Sequence, residues 1–185
     1  ADGRAPPAWL DGRKNRVTAS RFASACGVSG ARSSPEAVVN EMMALPEGNP
    51  RQAGRFGVQH EPEAREAYAE HLRGLCREGC CREAAAAAAG EVPPGAELEV
   101  HEVGLCVWPE DPWLAASPDG ICWEGDLAKG LLEVKTARYW PQEWDALLVG
   151  DLPCDWLYQV QGCLRVASAA MELEAPLAWC DLFLW

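Results

Sequence analysis

The chain has 185 residues, 49% hydrophobic and 24% charged, and this composition excludes an intrinsically disordered protein. Its formal net charge of −12 argues against a simple nucleic-acid-binding protein, because such proteins are usually basic. No segment approaches the roughly 20 apolar residues of a membrane span and the N-terminus shows no signal-peptide pattern, so we expect a soluble, intracellular protein without membrane contact.

Two helices are predicted near the N-terminus. The first has Thr18 or Ser20 as its N-cap and ends at Gly27. The second has Ser34 as its N-cap and Pro35 at the first helical position, where the missing N–H is harmless. Its predicted apolar face comprises Val38, Met42 and Leu45.

A longer helix is predicted after a Gly/Pro/Asn-rich loop at residues 46–54. It covers residues 57–75, and residues 76–96, with six consecutive alanines and a Pro-Pro-Gly sequence, are predicted to be an insertion. The apolar stripe of the helix comprises Ala64, Tyr68, Leu72 and Leu75. The spacing of Cys76, Cys80 and Cys81 fits no strong zinc pattern, and their role is left open.

The C-terminal half alternates between strand and helix patterns. Strands are predicted within residues 97–108, 113–123, 130–137 and 177–185, and helices within 141–150 and 155–168. This order of elements predicts an α/β or α+β class, of which we expect α/β, and a single domain over residues 1–185.

The strand around residue 133 carries charges among apolar residues. Side chains alternate along a strand, so Glu133 and Lys135 share a face with Leu131. An acid and an amine there cost free energy unless they are partnered or bind a ligand. The alternative is a solvated strand face with a weak surface ion pair. For Asp119, in a Pro-Asp-Gly sequence, the alternative is a turn residue that satisfies backbone donors.

Five ordered sequence blocks carry a family resemblance. They are Trp9 and Arg13 with VTAS (17–20), GVQHEPEAREAY (57–68), SPDG (117–120), LLEVK (131–135) and YQVQGCL (158–164). In this order they resemble the YqaJ-type viral recombinase, or phage lambda exonuclease, family of PD-(D/E)XK nucleases. The resemblance covers residues 9–185 apart from the insertion. The family continues into a further helix where this chain stops, so we expect a truncated C-terminal end.

The resemblance implies a fold and an activity. The fold would be a restriction-endonuclease-like core with a mixed central sheet flanked by helices. The protein would be a Mg²⁺-dependent DNA exonuclease, with Mn²⁺ as a substitute, that digests one strand of linear duplex DNA 5′→3′ in recombination or repair. Toroidal homotrimers occur in the family, and a single-strand annealing protein is a further possible partner. The alternatives are an endonuclease with the same core, RNA as the substrate, and an inactive remnant that binds nucleic acid or protein.

The resemblance also assigns roles to residues. Asp119, Glu133, Glu61 and the backbone carbonyl of Val134 would hold the metal, which suits hard oxygen ligands. Lys135 would lie beside the attacking water and the scissile phosphate.

Three further assignments have structural alternatives. Gln159 would contact the water, the lysine or the phosphate, unless it makes a structural hydrogen bond; Gln161 points elsewhere. Glu61 would otherwise form a surface pair with Arg65 four residues later. Arg13 would bind the 5′-terminal phosphate with Ser20 nearby, and the alternative is a solvated group of basic residues.

Overall fold

The computed structural model describes residues 11–43, 52–77, 98–136, 147, 150 and 152–185. The predicted helix at 141–150, apart from residues 147 and 150, and most of the predicted insertion lie outside these residues. The side chains of Cys76, Cys80 and Cys81 lie outside them as well. No helix within the described residues combines the length and the apolar character needed to cross a membrane.

The first two predicted helices are present, the first shorter than expected. A 3-10 turn at Ala19–Arg21 leads into α1 at Phe22–Ala25, and Thr18 precedes the turn without a side-chain capping bond. Gly27 follows with a φ of 64°, in the left-handed region that suits glycine. Helix α2 spans Pro35–Met43. The predicted Ser34 cap is confirmed, since its Oγ accepts a hydrogen bond from the Ala37 N–H at 3.3 Å.

Helix α3 is longer than the sequence pattern predicts. It spans Gln52–Arg77 and contains Pro62. The predicted loop at 46–54 is therefore wrong for residues 52–54. Gly54 favours a loop locally, but helix propensity is a weak prior that tertiary context overrides. The predicted apolar stripe is confirmed in the residues whose side chains are described, because Ala64, Tyr68 and Leu72 are buried.

The strands of the described ranges form two mixed sheets. They are Val17–Thr18 (β1), Leu98–His101 (β2), Cys106–Val107 (β3), Leu114–Ala116 (β4), Gly120–Glu124 (β5), Leu127–Lys135 (β6) and Trp179–Leu184 (β7). The larger sheet has the order β2-β5-β6-β7, with only the β6–β7 pair parallel, and the smaller sheet has the order β1-β4-β3. The single strand predicted within 97–108 is wrong, because β2 pairs with β5 whereas β3 pairs with β4.

The larger sheet lies between two helices. Helix α4 spans Cys154–Ala170, and its Cys163 and Val166 pack on the face of the sheet that carries Ile121 and Leu131. The opposite face carries Cys122, Leu132 and Val134, which pack against the buried stripe of α3. Because side chains alternate along β6, this strand contributes residues to two separate hydrophobic cores, one on each face of the sheet. The predicted mixed sheet flanked by helices is confirmed.

Close packing at a glycine seats α4 against the N-terminal segment. A Cβ atom built at Gly162 would lie 2.4 Å from a ring carbon of Phe22 and 3.3 Å from the Cβ of Ala19. Only glycine permits this approach. The contact therefore sets how closely α4 approaches the N-terminal segment.

Gly162→Ala should therefore destabilise the protein by about 1–3 kcal/mol, because the overpacking outweighs the better helix propensity of alanine. The matched control is Gly74→Ala in α3, where nothing lies within 4 Å of the added Cβ; it should stabilise by about 0.5–1 kcal/mol. Urea unfolding of both variants measures the difference. A neutral or stabilising Gly162→Ala would contradict the tight contact.

Candidate active site

Asp119 lies where the antiparallel pair β5–β6 ends. Its N–H donates to the carbonyl of Leu132 at 3.1 Å, and the preceding Pro118 has no N–H with which to continue the ladder. The Asp119 carboxylate accepts a hydrogen bond from the Val134 N–H at 2.6 Å through Oδ2. Asp119 therefore does satisfy a backbone donor, as the turn alternative predicted, but the donor belongs to the strand that carries Glu133.

Glu133 is a buried charge on the α4 face of the sheet. The residue is 3% exposed, so the solvated-face alternative is wrong. Its Oε1 accepts a hydrogen bond from the Lys135 ammonium at 2.7 Å and another from the Gln159 amide. Its Oε2 is buried and has no hydrogen-bond partner within the part of the chain that the structure describes. One carboxylate oxygen is thus held in place and the other remains to be satisfied.

Lys135 and Gln159 complete a closed triangle with Glu133. The Lys135 ammonium donates to the Gln159 Oε1 at 2.8 Å as well as to the glutamate, and its side chain is 16% exposed. Gln159 reaches the strand from the inner face of α4, whereas Gln161 is exposed. The structure therefore brings together three of the predicted catalytic side chains. Gln159 forms hydrogen bonds with the other two, Lys135 and Glu133.

Glu61 approaches from α3 and forms the pair with Arg65 that was the alternative to its metal-binding role. The distance from the Arg65 Nη2 to the Glu61 Oε1 is 2.9 Å, and the Arg65 Nη1 lies 3.1 Å from the Oε2 of the exposed Glu102. The Glu61 side chain is 30% exposed, which places it at the rim of the site. The contact to Glu102 was missed from sequence because it joins residues 37 positions apart.

The pKa values of the three acidic side chains are all raised, mainly by burial. Burial raises the pKa of Asp119 well above its usual range, and the negative charges of Glu133 and Glu61 raise it further, against weaker opposition from the Val134 N–H and Lys135. Burial also raises the pKa of Glu133 and of Glu61, although a paired cation opposes each shift. The protein alone therefore leaves the negative charge of this site undercompensated.

The predicted phosphate-binding residues lie in the β1 region. The Arg13 Nη2 donates to the Thr18 Oγ1 at 2.9 Å, and that oxygen lies 3.4 Å from the Ser20 Oγ. Arg13 is partly buried rather than solvated, and burial followed by the charge of Arg21 lowers its pKa. Burial, followed by the negative charge of Glu133, raises the pKa of the Cys163 thiol on α4 well above its usual range.

One aromatic contact was not predicted as part of the site. It involves Trp156, in the first turn of α4. The Lys135 ammonium lies over its ring, 5.5 Å from the centroid. The sequence signal for this contact is its position one helical turn before Gln159.

The donor chemistry of the site fits a hard divalent cation. The buried, unpartnered Glu133 Oε2 and the undercompensated carboxylates of Asp119 and Glu61 are the oxygen ligands that Mg²⁺ prefers. As the side chains stand, no three acidic, cysteine or histidine groups in the described ranges converge as a metal site. The metal-ligand roles, including that of the Val134 carbonyl, stay predictions.

Comparison with known proteins identifies the family and the fold. A family model described as a YqaJ-like viral recombinase domain matches residues 8–170. The chain resembles the crystal structure of an alkaline exonuclease (LHK-Exo) from Laribacter hongkongensis, with a TM-score of 0.62, 24% identity, and coverage of 97% of this chain and 74% of that chain. The crystal structure of LHK-Exo in complex with dAMP is similar to this chain with a TM-score of 0.61 and 23% identity, at the same coverage. No curated protein matches significantly. The predicted nuclease-type α/β fold is confirmed.

Asp119→Asn should stabilise the protein in EDTA, since it removes a charge that opposes folding while its amide oxygen still accepts the Val134 N–H. A pKa raised above the unfolded value of 3.8 means that the stability contributed by protonated Asp119 is lost as the pH rises through the folded-state pKa. The gain in stability should therefore be largest at pH 8 and shrink toward pH 4. Each kcal/mol of it should raise Tm by about 2–4 °C. Thermal unfolding over this pH range measures it. Equal Tm values at pH 8 would contradict the charge cluster.

Proposed function

Because the chain belongs to the YqaJ-like viral recombinase domain family, we propose that it is a Mg²⁺-dependent DNA exonuclease of recombination or repair. The proposed reaction is 5′→3′ digestion of one strand from the end of linear duplex DNA. The observation that carries the proposal is the buried triangle of Glu133, Lys135 and Gln159 beside Asp119. The exonuclease named in the similar crystal structure supports the same chemistry.

Asp119, Glu133, Glu61 and the Val134 carbonyl would hold the cation in this proposal. When bound, the cation supplies a Lewis acid that neutralises phosphate charge and lowers the pKa of a water molecule. The buried oxygen of Glu133 then gains a partner, and the repulsion among the carboxylates is relieved. Metal binding and folding are thereby coupled at this site.

Lys135 would stabilise the charge that develops on the scissile phosphate. Glu133 and Gln159 take two of its three ammonium hydrogens, so the third remains for a phosphate oxygen or the attacking water. Both partners are fixed on secondary structure, β6 for one and α4 for the other. The ammonium is therefore positioned before the substrate arrives, which is the arrangement that electrostatic catalysis requires.

Arg13 would bind the 5′-terminal phosphate, and Ser20 would donate its hydroxyl beside it. Thr18 orients the guanidinium through one Nη atom. Burial, followed by the charge of the neighbouring Arg21, lowers the pKa of Arg13 and so disfavours its charged form. An anion at this position would relieve both effects.

The test is digestion of linear duplex DNA with Mg²⁺ or EDTA, for the wild type, Lys135→Ala and Glu133→Gln. Mg²⁺ should be required, and each substitution should lower the rate about 10²- to 10⁴-fold. Lys129→Ala is the matched control, because this lysine lies on the same strand and pairs with Glu124 at 3.5 Å; it should digest normally. Cutting of closed circular DNA would favour an endonuclease. A folded wild type without hydrolysis would overturn the proposal in favour of a binding remnant.

Arg13→Ala should reduce digestion of 5′-phosphorylated ends by about 10-fold or more and have less effect on 5′-hydroxyl ends, because only the former present the terminal phosphate dianion. Lys14→Ala removes a neighbouring exposed charge, which pairs with Asp11 at 2.6 Å, and should change neither rate appreciably. Initial rates on the two duplexes provide the comparison. Equal losses on both ends would contradict the end-phosphate role.

A further inference from the structure

Helix α4 presents two side chains, one turn apart, to the same ammonium group. Gln159 accepts a hydrogen bond from Lys135, and the ring of Trp156 lies with its centroid 5.5 Å from the ammonium nitrogen. This distance is within the roughly 6 Å over which an aromatic face attracts a cation. The backbone of Trp156 is fixed in the first turn of α4, where its N–H donates to the Pro153 carbonyl at 3.0 Å.

An aromatic face has an advantage over a further acidic partner at this position. The site already contains the carboxylates of Glu133, Asp119 and Glu61, whose mutual repulsion is undercompensated. A fourth carboxylate, beside Lys135, would add to that repulsion and would take the last ammonium hydrogen. The ring attracts the ammonium through its quadrupole, carries no net charge and needs no conventional hydrogen bond.

We propose that Trp156 is a positioning residue that holds the Lys135 ammonium toward the reacting phosphate through its aromatic face. The inference rests on the proposed function for its catalytic consequence, but the contact between the two side chains does not depend on it. Lys135 is a flexible four-carbon chain, and Glu133 and Gln159 restrain it from two directions. Trp156 supplies a third restraint and leaves one ammonium hydrogen for the substrate.

The experiment replaces Trp156 with tryptophans bearing one, two or three ring fluorines, introduced at this codon alone. Fluorine weakens the negative face of the ring and preserves its shape, so folding is maintained. The kcat for linear duplex digestion should fall stepwise, by about 3- to 10-fold in total, with KM for DNA changed less than about 2-fold. The same residues at the exposed Trp113, whose indole donates to Asp111, should leave both constants unchanged.

Unfolding measurements test the contact without relying on activity. Fluorination at position 156 should lower the urea midpoint stepwise when residue 135 is lysine, and this dependence should disappear in Lys135→Met. A kcat that is independent of fluorination, or a midpoint series that is identical with lysine and with methionine, would overturn the proposal. Absence of hydrolysis in the wild type would overturn the proposed function instead, and the unfolding series would then decide the contact alone.

Discussion

A buried charge on the central sheet is the constraint on which the remaining site depends. Glu133 is almost fully excluded from solvent, and an unpaired carboxylate there would cost several kcal/mol. Lys135 and Gln159 reduce that cost through one oxygen, while the other oxygen stays unpartnered among the described residues. A core built for stability alone would place an apolar side chain at this position. The proposed cation would supply the partner that this second oxygen lacks among the described residues.

Much of this arrangement could be predicted from the sequence because it follows from periodicity. Alternation along β6 put Glu133 and Lys135 on one face, and helical spacing put Gln159 on the inner face of α4. Asp119 was recognisable only through its order relative to these residues, since a Pro-Asp-Gly sequence alone favours an ordinary turn. The alternative, in which Asp119 satisfies a backbone donor, is also correct in part, because its carboxylate accepts a hydrogen bond from the Val134 N–H.

The features that the sequence did not reveal depend on tertiary contacts between distant segments. The Arg65–Glu102 pair joins α3 to the residue after β2, and the contact of Trp156 with Lys135 joins α4 to β6. The division of the 97–108 segment between two sheets also depends on which strands lie beside it. Local propensity contains none of this information, because pairing partners are chosen by the whole sheet.

The positions of the charged side chains in the site depend on the register of β6. A slip of one residue would exchange Glu133 and Lys135 with their apolar neighbours and move the charges to the α3 face. The parallel ladder to β7 opposes such a slip at both ends. At one end, a Cβ at Gly130 would lie 2.2 Å from the Trp179 ring, so that ring fits only over this glycine. At the other end, the Trp185 N–H donates to the Lys135 carbonyl at 2.9 Å. Packing remote from the carboxylates thus determines which face of the sheet carries them.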